Sequence, residues 1–592
     1  MKYNIALIII ILLASILRFL YLDRIPTGIS GDELNFILQA KSIFYSAQNI
    51  SGTWSPLTLS TIPGNFPQAE LPSLLMAPFI GPLPLSLVYS KIPYVICSVG
   101  IIILIYLITK HLFNIQIAFA TSLILTINPW SVFFGRTAYE APLSLFFYLI
   151  AGYIILKSPG WLSFLSLIPL FLGFYTYMGS KLLLIPYVFF LTAYKFLFEK
   201  NWKNRMRIFL IFIIVIGLFL SFLLRLKSLP ASQRLNELTT PNSAEIIDGV
   251  NYERKSTLLF PYTFIVSNKL TIYTRTLIEK YFKVFSTDFL FLYGEGRGTF
   301  SLWFHGYFYY IDALFMLIGL IYLFNRYKKE TILLLLLISI APIATIASSS
   351  GTGFAALRSS LIFPLLSILV GGGVIGSLTI FKQQIFRIIS FTLISAIYIV
   401  SLCNFANIYF LRNPIYNSDS YNLSARILSK YLTEAKILNV PIIVLSESPT
   451  GQFNNYLFFT NSFTKDSMAE IRTIYRQPSF MFHSITYTNC KNMEKIPENA
   501  TIIFESGNTC IPSSGQLLSN RVIASLSDGG AIYKIYNDRL CEKYTLKRYP
   551  SQISLSDLNI EALDRKKFCE TYITDLSEPS PNELKEIERQ NP

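Results

Sequence analysis

A chain of 592 residues would ordinarily form several water-soluble domains, but 52% of these residues are hydrophobic, 15% aromatic and only 14% charged, against about 25% charged in soluble proteins. That composition excludes a water-soluble body as the main architecture and makes lipid the solvent. The net charge of +15 is a topology signal and not a nucleic-acid groove, because the basic residues collect in short loops between apolar runs.

Tyr3 to Leu22 is apolar and long enough to span, and it is followed by Asp23, Arg24 and Pro26 instead of a small-residue cleavage site, so it reads as a first helix and not as a removed signal. Further spans are predicted near 85–108, 114–130, 141–156, 161–177, 182–198, 208–225, 303–324, 331–347, 359–380 and 387–411, roughly eleven in all, since backbone groups in hydrocarbon are satisfied only in helices. With the N-terminus inside, the inner loops hold many lysines and arginines, densest from Lys195 to Arg207, against Glu199 and Glu330. Lysine and arginine mark the inner side. The expected organisation is therefore a transmembrane domain over 1–411, with outer loops at 23–84 and 226–302, an extracytoplasmic α/β domain over 412–576 and a polar tail at 577–592. The expected fold class is a polytopic α-helical membrane protein carrying a C-terminal α/β domain.

Within that domain, Tyr421 to Ile437 has the spacing of an amphipathic helix, and Val440 to Ser446 is an apolar run of strand type. Similar runs stand at Phe480 to Tyr487 and Thr501 to Phe504, while Arg521 to Leu526 and Ala531 to Tyr536 flank Asp528-Gly529-Gly530, a hairpin signal. Cys490, Cys510, Cys541 and Cys569 form an even set in a segment expected outside, where disulfides form. Neighbours in sequence are the expected pairs, Cys490 with Cys510 and Cys541 with Cys569; free buried thiols are the alternative. With three histidines and no Cys-x-x-Cys, no structural zinc site is expected. No cofactor is predicted, and dependence on a divalent metal stays open.

Candidate chemistry gathers at the outer helix ends. Ser30-Gly31-Asp32-Glu33-Leu34 delivers adjacent carboxylates to the start of a helix whose Leu34, Ile37, Leu38 and Tyr45 repeat at helical spacing, so the helix is expected along the outer membrane surface with its apolar side down. Asp32 and Glu33 would then face water at the lipid boundary as catalytic carboxylates, unless Asp32 merely caps the helix. The turn from Pro129-Trp130 to Arg136 and Glu140 adds two charges that either contact substrate or pair with each other across one helical turn. Lys181 and Arg358, at outer helix ends, are candidates for a phosphate contact or ordinary snorkelling cations. Arg297 in the Gly294 to Gly298 loop and the nearby His305 complete the set.

The Asp-Glu pair in the first outer loop, the Pro-Trp…Arg…Glu turn and the alternation of helices with large outer loops resemble the GT-C superfamily of glycosyltransferases over about residues 1 to 410, in particular the branch of protein O-mannosyltransferases and the lipid A aminoarabinose transferase. The resemblance implies a sugar donor on a polyprenyl phosphate, a glycan, protein or lipid acceptor, and Asp32 as the base or positioning group for the acceptor hydroxyl. A general base is worth about 10²- to 10⁴-fold, and cations stabilise the departing phosphate. Two departures stand out. Phe66-Pro67-Gln68-Ala69-Glu70-Leu71-Pro72 lacks the lysine that the aminoarabinose branch carries before its prolines, so that phosphate contact does not transfer. No Asp-x-Asp stands in the first loop, unlike the metal-dependent oligosaccharyltransferases of the superfamily. The resulting reading is a multi-pass glycosyltransferase of a plasma or cytoplasmic membrane, moving a hexosyl or pentosyl group from a lipid-phosphate donor on the outer face. Its partners are that donor, the acceptor and membrane lipid, with no nucleic acid. A transporter or flippase of lipid-linked glycans and a non-catalytic glycan-binding protein are the alternatives, and charges at helix ends instead of mid-membrane favour the enzyme.

Overall fold

The computed structural model describes residues 2–54, 59–60, 68–69, 71–226, 243–258, 260–296, 298–348, 355–489, 499–506, 521–548 and 552–576. Among the described residues, seven helices are long and apolar enough to cross a membrane: Leu87–Leu112, Glu140–Lys157, Ser180–Phe198, Trp202–Leu224, Lys328–Ile346, Ile362–Ile380 and Gln384–Tyr416. The shorter helices Ile5–Phe19, Ile115–Ile127, Gly160–Thr176 and Tyr310–Arg326 fall on the remaining apolar runs. The protein is a polytopic α-helical membrane protein.

Local signals place the breaks between helices. Asn114 caps Ile115–Ile127 by accepting from the Ile117 N–H at 2.9 Å. That helix stops at Asn128 because Pro129 disfavours helical backbone in the residue before it, and Asn128 then caps the next turn by accepting from the Ser131 N–H at 3.1 Å. The run from 303 differs from expectation. Its helix starts only at Tyr310, since Trp303 and Phe304 hold φ of 35° and 57° and the Asp312 carboxylate accepts from the Tyr309 N–H at 2.9 Å, fixing the helix start there. Helices Tyr310–Arg326 and Ile362–Ile380 approach at backbone distance. A Cβ on Gly319 would lie 1.8 Å from the Leu369 carbonyl oxygen, and one on Gly373 1.9 Å from that of Phe315, so small residues set this crossing.

The C-terminal region carries a seven-stranded mixed sheet in the order β4-β5-β3-β6-β8-β7-β9: β3 Ile442–Leu445, β4 Phe480–Phe482, β5 Ile485–Thr488, β6 Thr501–Glu505, β7 Arg521–Ala524, β8 Ala531–Tyr536 and β9 Ile573–Asp575. A small ladder of β1 Leu59–Ser60 and β2 Gln68–Ala69 lies in the first loop. Strand β3 runs parallel to β5 and β6, and the other neighbours are antiparallel. The Phe480 to Tyr487 run, which reads as one strand, is folded back on itself: His483 and Ser484 adopt φ of 50° and 68° and make a two-residue hairpin turn. Cys541 and Cys569 are disulfide-bonded. Cys490, Cys510 and the tail at 577–592 lie outside the described residues.

The helix Gly31–Ser46 does not rest on lipid as its pattern suggests. Residues Glu33 to Ile43 are all buried, because Ile37, Leu38 and Ile43 share one core with Met76 and Ile80 of helix Leu71–Ile80 and with Leu428, Tyr431 and Phe458 of the C-terminal region. Polar ties reinforce that contact. Asn422 Nδ2 donates to the Ile29 carbonyl at 2.9 Å and Arg426 Nη1 to that of Thr27 at 2.6 Å. A Cβ on Gly28 would sit 2.1 Å from the Tyr421 carbonyl oxygen. The α/β region thus holds the helix that carries Asp32.

Candidate functional site

Ser30, and not Asp32, is the N-cap of Gly31–Ser46. Its side chain accepts from the Glu33 N–H, and the Glu33 carboxylate reaches back to the Ser30 N–H at 3.1 Å, closing a capping box. Glu33 also accepts from the Ser30 hydroxyl at 2.9 Å and from the Ala138 N–H at 2.6 Å, and it is fully buried. Expected as a catalytic carboxylate facing water, it is instead turned inward, with both carboxylate oxygens engaged by the scaffold. Asp32, one residue earlier, is exposed.

The turn after Pro129 divides in the same way. Arg136 is fully buried, donating from Nε to the Tyr409 hydroxyl at 3.2 Å, from Nη1 to the Leu17 and Arg18 carbonyls at 2.9 and 3.0 Å, and from Nη2 to the Ile25 carbonyl at 2.8 Å. These partners do not include Glu140; Arg136 ties the end of the first helix to the turn. Glu140 opens helix Glu140–Lys157 and is half-buried.

Lys181 also turns inward, against expectation. Its ammonium donates to the Phe174 carbonyl at 2.8 Å and lies 5.2, 5.7 and 5.4 Å from the ring centroids of Phe174, Tyr175 and Phe222, a cation–π enclosure. Arg358 is different. It ends the short helix Ala355–Arg358, which is held by the Ala356 N–H on the Glu295 carboxylate at 2.6 Å and by the Trp130 indole on the Ala356 carbonyl at 3.2 Å. Arg297 lies outside the described residues. His305 is buried, with Nδ1 2.6 Å from the Gly306 carbonyl oxygen and its ring against Tyr309 and Phe405.

What the fold brings together is Asp32, Glu140 and Arg358, around a residue without a motif, Tyr177. The Tyr177 hydroxyl is hydrogen-bonded with Arg358 and lies within electrostatic reach of Glu140 and Asp32. A cavity of about 20 Å³ beside it is lined by Tyr148, Tyr177, Ser180, Arg358 and Ser360, room for about one water. A second unforeseen residue is Lys280 on helix Lys269–Lys283. Buried, it donates to the Ser348 carbonyl at 2.6 Å. Burial lowers its pKa, and of its charged neighbours Glu245 opposes that shift while Arg358 adds to it. Neither residue carries a sequence signal: Tyr177 is one of 36 tyrosines, and Lys280 sits in an ordinary polar helix. Among the described residues no three His, Cys, Asp or Glu side chains gather to hold a metal ion.

No family model matches this chain, and no curated protein matches it. Among solved structures it is similar to the archaeal oligosaccharyltransferase AglB from Archaeoglobus fulgidus in complex with an inhibitory peptide and a dolichol-phosphate, at 15% identity over 77% of this chain, with a TM-score of 0.43. The match spans 64% of the length of AglB. It is also similar to ArnT from Cupriavidus metallidurans bound to undecaprenyl phosphate, at 10% identity over 90% of this chain and 98% of that one, with a TM-score of 0.45. At these scores the likeness is one of general chain path, and what the site does has to come from its own residues.

Proposed function

We propose that this protein transfers a sugar from a polyprenyl-phosphate donor to an acceptor hydroxyl on the outer face of the membrane. The reading is supported by four chain segments distant in sequence that bring Asp32, Glu140, Tyr177 and Arg358 within electrostatic reach of one another, with Arg358 hydrogen-bonded to Tyr177 and lining the same small cavity, and with Lys280 in the same field. Asp32 takes the proton of the acceptor hydroxyl as its oxygen bonds to the anomeric carbon. The bond from that carbon to the phosphate oxygen breaks, and its electron pair stays on the lipid phosphate, where Arg358 and Lys280 meet the developing charge. The Tyr177 hydroxyl holds the Arg358 guanidinium in place.

The experiment is to supply the purified protein with a panel of polyprenyl-phosphate sugars and to measure acceptor-dependent release of the lipid phosphate. Release with at least one sugar, abolished by Asp32→Asn, is expected. Release from none of the panel, or release untouched by that substitution, overturns the assignment.

A further inference from the structure

The stretch from Phe260 to Leu270, between two polar helices, carries large apolar side chains that the protein does not cover. Phe260, Tyr262, Phe264, Ile265, Val266 and Leu270 are all exposed, Val266 at 64% and Leu270 at 72%. A contiguous apolar surface of this kind marks an interaction site. It is also held in shape. Arg254 Nε donates to the Ser267 carbonyl at 2.9 Å, Arg275 pairs with Glu253, and Asn268 closes a capping box with Thr271 at the start of the next helix.

Three observations identify what covers it. The following helix Lys269–Lys283 is tied to the end of the bundle that holds Arg358, through Lys280 on the Ser348 carbonyl at 2.6 Å, so the apolar stretch is carried by an element anchored at that end of the bundle. Its flanks are basic: Arg254, Lys255 and Lys269 are exposed beside it. Between the two polar helices lies a groove of about 420 Å³ lined by Ile247, Val250, Arg254, Lys269 and Leu270, apolar with a cationic edge. Exposed apolar residues flanked by lysine and arginine are the composition of an element that lies in the headgroup region.

We infer that residues 260–270 insert into the lipid leaflet at the Arg358 end of the bundle, with Lys255 and Lys269 gripping anionic phospholipid headgroups. This holds whether or not the neighbouring site transfers sugar. The test places p-benzoylphenylalanine at Phe264 in the full chain, reconstituted in phosphatidylcholine vesicles with or without phosphatidylglycerol, and identifies the photoproducts by mass. The same probe at Leu220, an exposed residue of the spanning helix Trp202–Leu224, reports capture of lipid by the bundle. The expected result is a phospholipid adduct at 264, enriched in phosphatidylglycerol over its share of the vesicle, with that enrichment reduced by up to about 30-fold by Lys255→Gln with Lys269→Gln. Cross-linking of 264 to a second copy of the chain overturns the inference. So does an absence of lipid adduct at 264 when 220 yields one, or an enrichment untouched by the double substitution.

Discussion

Two sets of charges stand at the same end of this bundle and differ in what surrounds them. Glu33 and Arg136 are fully buried, and protein hydrogen bonds engage both oxygens of the one and all three nitrogens of the other. Asp32 is exposed and Glu140 and Arg358 half-buried, with Arg358 lining a small cavity and Lys280 within its electrostatic reach. A buried charge costs free energy unless the fold satisfies it, so the first set reports how the chain is held together. The second set keeps access to solvent. Neighbours in sequence, Asp32 and Glu33, fall on opposite sides of that division.

Exchanging the members of each set separates them by readout. Arg136→Met leaves the carbonyls of Leu17, Arg18 and Ile25 without their donor, each worth about 1–3 kcal/mol when buried. Melting in detergent should fall steeply and yield should drop. Asp32→Asn acts in the opposite way. The N-cap is Ser30, so folding is expected to be unchanged, while sugar transfer falls by about 10²-fold or more. Lost folding in Asp32→Asn, or a fully stable and active Arg136→Met, breaks the comparison.

Much of the frame was legible because apolar runs and caps act locally. The helices follow from run length and the β7–β8 hairpin from Asp528-Gly529-Gly530. The capping box is written in Ser30-Gly31-Asp32-Glu33, where the serine three residues before Glu33, and not the adjacency of the two carboxylates, fixes the helix start. The fates of Arg136 and Lys181 were not legible: a guanidinium on four acceptors from distant segments, or an ammonium among three rings, leaves no local pattern. Tyr177 and Lys280 join the site only through tertiary packing. The inward burial of Gly31–Ser46 depends on helix Leu71–Ile80 together with a partner surface more than 370 residues away in the chain, at Asn422 to Phe458.

Within the exposed set, Arg358→Ala is expected to reduce transfer by about 10²-fold, as the loss of one positioned donor to a developing oxyanion does. Arg358→Lys should recover part of that loss, because charge is kept and the hydrogen bond to Tyr177 is altered. Initial rates across donor concentrations check it: a change in the Michaelis constant alone, with turnover intact, would restrict Arg358 to ground-state binding.

The smallest effect expected lies at the latch between the α/β region and the first loop. Arg426, 2% exposed, bonds the Thr27 carbonyl and pairs with Glu561 at 2.5 Å, while Glu561 itself is 44% exposed. Burial raises the Glu561 pKa, but the Arg426 guanidinium more than offsets it and holds the carboxyl below its ordinary 4.5. A depressed carboxyl stabilises the fold fully above its unfolded value and loses that contribution as pH falls through the folded one. Because solvent and salt screen the exposed partner, Glu561→Gln should cost no more than about 1 kcal/mol at neutral pH. Melting curves of the two proteins should therefore run slightly apart at pH 7, draw together in high salt, and merge as the pH drops well below 4.5. A gap that persists in acid would place the contribution of Glu561 in its packing and not in its charge.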